Sequence, residues 1–151
     1  MIYKNLQQNI IEIISKEQLT INDRLTEICE ILMNTIDYYD WVGFYFANTK
    51  EKTLHLKAYA GTATEHTVIP FGKGICGQVA ISNENFVVED VNAQDNYISC
   101  NINVKSEIVI PLFKDGENIG QIDIDSNSIN PFSKKDEQFL EWLNKQVAAI
   151  L

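Results

Sequence analysis

The chain has 151 residues, 45% of them hydrophobic and 22% charged, a composition that suits one soluble globular domain spanning residues 1–151 and able to bury its own core. Its formal net charge of −9 repels phosphate backbones and anionic lipid heads, which weighs against nucleic-acid and membrane partners. No apolar run reaches the ~18 residues of a membrane span, and the opening MIYKNLQQNI has neither an apolar core nor a small-residue cleavage site, so a cytoplasmic location is expected.

Residues 4–16 place Leu6, Ile10, Ile13 and Ile14 at helical spacing. Asn22 is a candidate cap for a second helix whose stripe is Leu25, Ile28, Cys29, Leu32 and Ile36. Trp41 to Phe46 reads as a strand, and Lys52 to Tyr59 as its antiparallel partner. Gly72, Gly74 and Gly77 crowd a turn that leads into a short helical segment near Gln78–Ser82. Asn85 to Val88 reads as a short strand, and residues 89–105 as a polar loop long enough to suggest a functional role. Glu107–Phe113 and Asn118–Asp125 flank Asp115-Gly116, a strong hairpin signal. Ser133 and Asp136 resemble a capping box that opens a last helix with Phe139, Leu140, Leu143, Val147 and Ile150 facing inward. Helices at both ends with hairpin-linked strands between them predict an α+β fold, a central antiparallel sheet flanked by N- and C-terminal helices.

Gly72-Lys73-Gly74-Ile75-Cys76-Gly77 matches G-x-G-x-x-G, with Asp90 placed where a ribose-binding acid would sit. The following helix is too short for a dinucleotide site, and no βαβ alternation follows to build a parallel sheet. No Gly-Lys-Ser/Thr closes the motif, so it is not a phosphate-binding loop either. The glycines serve instead to bring backbone close to a ligand or a neighbouring strand, and a helix start there could receive a carboxylate.

The cysteines are Cys29, Cys76 and Cys100, too few for a disulfide scaffold. Cys29 sits in a core stripe. Cys76, beside glycines at a helix start, reads equally as a packing residue or as a thiol of lowered pKa. Cys100 lies in the polar loop, where no core stripe explains it and Lys105 could stabilise a thiolate; a reactive thiol is favoured. A zinc site of Cys76, Cys100 and His66 matches no usual ligand spacing.

Strand periodicity puts Trp41 and Tyr45 on one face with Gly43 between them, and Gln121, Asp123 and Asp125 on one face of a later strand, which Glu107 could join. Two readings are open. Either these faces meet in a cavity of aromatics and carboxylates suited to an ammonium group and a methyl or sulfur group, or the aspartates lie on a solvated face. Pattern alone favours the second.

Trp41-Val42-Gly43-Phe44-Tyr45, Ile69-Pro70-Phe71-Gly72-Lys73-Gly74-Ile75-Cys76-Gly77, Lys105-Ser106-Glu107-Ile108-Val109-Ile110-Pro111 and Asp123-Ile124-Asp125-Ser126 together resemble the free methionine-(R)-sulfoxide reductases, stand-alone GAF domains. The resemblance implies a thiol-dependent oxidoreductase without metal or organic cofactor, acting on free methionine sulfoxide. It places the nucleophile at Cys100, whose attack on the sulfoxide sulfur releases methionine and leaves a sulfenic acid. It implies a disulfide with a second thiol, reopened by a thioredoxin-type reductant. It assigns Glu107, Asp123 and Asp125 to the ammonium group and to protonation of the sulfoxide oxygen, and Trp41 and Tyr45 to the wall around the methylsulfinyl group. The commoner family pattern carries a further cysteine where this chain has His66, which leaves Cys76 as the resolving thiol. GAF relatives often pair through terminal helices, so a homodimer is compatible with the resemblance. The alternative reading is a non-catalytic GAF sensor for a small metabolite.

Overall fold

Apolar residues at helical spacing wind two helices at the start of the chain, α1 (Ile2–Ile14) and α2 (Ile21–Thr35). The computed structural model describes residues 2–94, Tyr97 and residues 103–151. Thr20, not Asn22, caps α2: its hydroxyl accepts from the Asp23 amide at 3.1 Å. Asn22 lies inside the first turn.

Strands β1 (Trp41–Asn48) and β2 (Thr53–Ala60) pair antiparallel, as the alternation predicts. Strand β3 (Val68–Pro70), which no pattern announced, adds to β2. Helix α3 (Gly74–Ser82) begins earlier than the expected segment, strand β4 (Phe86–Val88) follows, and a 3-10 turn occupies Val91–Ala93 within the expected loop. Strands β5 (Ser106–Lys114) and β6 (Glu117–Ser126) form the hairpin, with Asp115 and Gly116 both at positive φ (53° and 80°), as a type I′ turn requires. Helix α4 (Lys134–Ala148) closes the chain.

The strands make one six-stranded antiparallel sheet in the order β3-β2-β1-β6-β5-β4. With the helices it forms the expected α+β architecture. The pleat divides the sheet residues between two apolar clusters. Val42, Phe44, Ile108, Ile110, Leu112, Ile122 and Ile124 pack with the stripes of α1, α2 and α4. Trp41, Tyr45, Val109 and Leu54 belong to the opposite cluster, with Ile75, Cys76 and Val79 of α3. Cys29 belongs to the first cluster and is fully buried, as its place in the α2 stripe predicts.

The three-helix side is pinned by one buried carboxylate. Oδ1 of Asp136 accepts from the hydroxyls of Tyr39 (2.6 Å), Tyr3 (2.9 Å) and Tyr38 (3.0 Å). Oδ2 accepts from the Ser133 amide at 2.8 Å, the reciprocal half of the capping box. These bonds join α1, the α2–β1 connection and α4. Burial, with the Asp136 carboxylate beside them, pushes all three tyrosine hydroxyls up.

Candidate active site

The face of the sheet turned to α3 carries three cross-strand rows. Trp41 pairs with Asp125, which pairs with Glu107; Gly43 with Asp123, which pairs with Val109; and Tyr45 with Gln121, which pairs with Pro111. Because side chains repeat every second residue, these rows bring Trp41, Tyr45, Gln121, Asp123, Asp125 and Glu107 to one side. The solvated-face reading of the aspartates is therefore overturned: Glu107, Asp123 and Asp125 are 5%, 2% and 3% exposed. Period-two alternation separates the faces of a strand but does not say what covers them, and here α3 does.

Gly43 lets the aromatics lie flat against the sheet. A Cβ there would stand 2.3 Å from the six-membered ring of Trp41. The indole is fixed by its Nε1–H, which donates to the Thr62 carbonyl at 3.0 Å, and by stacking on Tyr59 with ring centroids 5.9 Å apart. Tyr45 donates to the His66 carbonyl at 2.9 Å, and its ring centroid is 6.4 Å from that of Trp41. On the facing side, Gly77 lets α3 sit against β3: a Cβ there would lie 2.7 Å from the Pro70 carbonyl. This contact drives Cys76 onto the carboxylates, with its Sγ 3.8 Å from Glu107 Oε2.

Tyr45, His66, Ile69, Lys73, Gly74, Ile75, Cys76, Glu107 and Asp123 line a small, partly enclosed pocket with a mouth to solvent. Trp41 and Asp125 do not line it, although Glu107 of the same cross-strand row does. Ile69 and Lys73 join the wall without having been singled out as site residues by pattern, and His66 does so after being weighed only as a zinc ligand and as the family's missing cysteine. Only the Gly-Lys-Gly spacing around Lys73 hinted at a ligand. Gln121 is fully buried, and neither of its amide atoms is hydrogen-bonded among the described residues. Cys100 lies outside the described residues.

The electrostatics differ from the sequence expectation at Cys76. One of the two readings left open there was a thiol whose pKa a helix start lowers. Instead burial, followed by the charges of Asp123, Glu107 and Asp125, pushes the thiol well above its ordinary value. Burial likewise raises Asp123, partly offset by hydrogen bonds to Glu107 and Cys76. It raises Asp125 further, with the charge of Asp123 adding to the effect. An acid whose folded pKa is raised takes up a proton on folding. The stability linked to that proton is present in full below the ordinary Asp value of about 3.9 and is lost as pH rises through the raised values. Urea unfolding of the ligand-free protein should therefore show a midpoint that falls as pH rises through the window above the ordinary Asp value of about 3.9. Asp125→Asn should flatten that slope, and a wild-type midpoint that climbs across the window would contradict the linkage.

Residues 18–151 match the family model described as GAF domain. The chain is 34% identical over 127 residues to the free methionine-R-sulfoxide reductase of Escherichia coli, covering 84% of this chain and 75% of that protein. The chain belongs to the free methionine-R-sulfoxide reductase family. A second family member, the enzyme of that name from Saccharomyces cerevisiae, is 40% identical over 110 residues, which is 72% of this chain and 61% of the yeast protein. The crystal structure of the Neisseria meningitidis reductase in complex with its substrate superposes with a TM-score of 0.90 at 33% identity, covering 98% of this chain and 87% of that one. The fold is thus the GAF fold, and the family is one of oxidoreductases. No helix among the described residues is long and apolar enough to cross a membrane.

Proposed function

We propose that residues 1–151 act as one GAF domain that reduces free L-methionine (R)-S-oxide to methionine in the cytoplasm. The observation that carries this reading is the buried triplet Glu107, Asp123 and Asp125 on the same sheet face as Trp41 and Tyr45. Carboxylates held in an apolar wall are costly unless a cation meets them, and the ammonium of a free amino acid is such a cation. The aromatic faces suit the methyl and sulfur end of the same molecule.

In this mechanism the Cys100 thiolate attacks the sulfoxide sulfur. The oxygen passes to the cysteine, giving a sulfenic acid, and methionine leaves with the sulfur electron pair restored. Glu107, Asp123 and Asp125 hold the ammonium and supply the proton that the departing oxygen needs. Cys76 then displaces water from the sulfenic acid and forms a Cys76–Cys100 disulfide, which a thioredoxin-type dithiol reopens while becoming a disulfide itself. The raised pKa of Cys76 makes this second step quicken with pH.

The test is methionine production from the free sulfoxide, from its N-acetyl derivative and from a methionine-sulfoxide peptide. The free amino acid should be reduced, and the blocked forms should lose ~10²-fold or more in kcat/KM, because a buried carboxylate is left facing no cation. A peptide reduced as fast as the free amino acid would sink the acidic pocket. No methionine from any of the three would leave a GAF sensor as the better reading.

A further inference from the structure

We propose that Cys76, Glu107 and Asp123 form an inhibitory site for a thiophilic divalent cation, Zn²⁺ above all. Each residue offers one ligand atom, the Sγ or a carboxylate oxygen, and the three atoms lie within 4.8 Å of one another with all three residues buried. The Cys76 Sγ to Glu107 Oε2 distance is 3.8 Å. Tetrahedral zinc, with Zn–S near 2.3 Å and Zn–O near 2.0–2.2 Å, needs its donor atoms about 3.5 Å apart, so the Cys76–Glu107 pair must close by a few tenths of an ångström and the widest pair, within 4.8 Å, by up to about 1.3 Å.

A second observation points to a ligand there. Oδ1 of Asp123 is buried with no hydrogen-bond partner among the described residues, on a side chain that lines the pocket. An acceptor in that state can be satisfied by a bound cation or by water. All three residues line the same opening, which supplies an entry path and leaves a fourth coordination position for water. A sulfur donor with only three protein ligands selects Zn²⁺ over Mg²⁺ or Ca²⁺, which require more oxygen ligands than this cluster provides. The bound ion would sit where Glu107 and Asp123 meet an ammonium group. Competition with methionine sulfoxide rests on the function proposed above, whereas cation binding stands on the geometry alone.

Co²⁺ is the probe, added to the reduced protein carrying Cys100→Ser so that a thiol outside the cluster cannot supply the signal. A near-ultraviolet thiolate-to-cobalt charge-transfer band should appear, be displaced by Zn²⁺, and vanish in Cys100→Ser/Cys76→Ser. Asp123→Asn should weaken Zn²⁺ binding about 10- to 100-fold in competition with a chromophoric chelator, with the fold checked by circular dichroism. In single-turnover reduction by the wild-type enzyme, before Cys76 is needed to resolve the sulfenic acid, Zn²⁺ should raise the half-saturating sulfoxide concentration and leave the limiting rate unchanged. Absence of the band, or equal Zn²⁺ affinity with and without Asp123→Asn, would overturn the site. A band in a protein that reduces no sulfoxide would support the site and retire the functional reading instead.

Discussion

Cys100→Ser should abolish reduction of free methionine (R)-sulfoxide, by at least about 10⁴-fold in kcat/KM. A serine hydroxyl is scarcely ionised at neutral pH, and oxygen transfer onto it would demand a peroxide in place of a sulfenic acid. Cys76→Ser should behave differently. A first turnover should survive, and thioredoxin-driven cycling should slow sharply, because the sulfenic acid must then wait for an external thiol. Peptide mapping after one equivalent of substrate without reductant should show the Cys76–Cys100 linkage in the parent protein, which requires their Cα atoms to come within about 7 Å. Cys29→Ser should keep its activity while losing about 1–3 kcal/mol of stability, since a hydroxyl replaces a thiol in a fully buried stripe. Full activity in Cys100→Ser would remove the nucleophile assignment. Stable sulfenylation of Cys100, with Cys76→Ser cycling as fast as the parent, would reduce Cys76 to a packing residue.

The second large effect lies on the other side of the sheet. Asp136→Ala should cost about 3–5 kcal/mol of unfolding free energy, read by urea denaturation at neutral pH. The substitution leaves the hydroxyls of Tyr3, Tyr38 and Tyr39 and the Ser133 amide without their shared acceptor, and three of those four donors belong to segments far from Asp136 in sequence. Burying a donor without a partner is more costly than never having made the bond. Tyr39→Phe removes only one of these bonds and should cost about 1 kcal/mol. A loss below about 1 kcal/mol for Asp136→Ala would mean that water reaches the orphaned hydroxyls.

Much of this architecture was legible because it is periodic or local. Leu25, Ile28, Cys29 and Leu32 mark a helix by spacing alone, and Asp115-Gly116 marks a hairpin by the backbone angles it tolerates. The faces of β1 and β6 were likewise readable, since Trp41 with Tyr45 and Asp123 with Asp125 follow from a period of two. What escaped depends on contacts between segments. Val68–Pro70 is too short to show alternation, and it is a strand because β2 offers it a partner. Gly74 and Gly77 are poor helix formers, so α3 is held by packing against β3 and the sheet and starts before propensity suggests. The direction of the Cys76 thiol's shift escaped for a related reason. A helix start is visible along the chain, but the carboxylates that oppose its thiolate arrive from β5 and β6. The tyrosines around Asp136 could not be foreseen either, because only the capping half of that carboxylate's role is local.

The pleat of β6 has a consequence for how such a protein can change. Ile122 and Ile124 answer to the helices on one side, while Gln121, Asp123 and Asp125 answer to the pocket on the other, and no residue of this run serves both. A substitution at one position therefore leaves its chain neighbours' packing almost untouched. Selection can rewrite the alternate letters of the strand for a new ligand while holding the rest for folding. Two vocabularies interleave in one short segment, and a scaffold built this way can exchange a reductase's pocket for a receptor's without first learning to fold again.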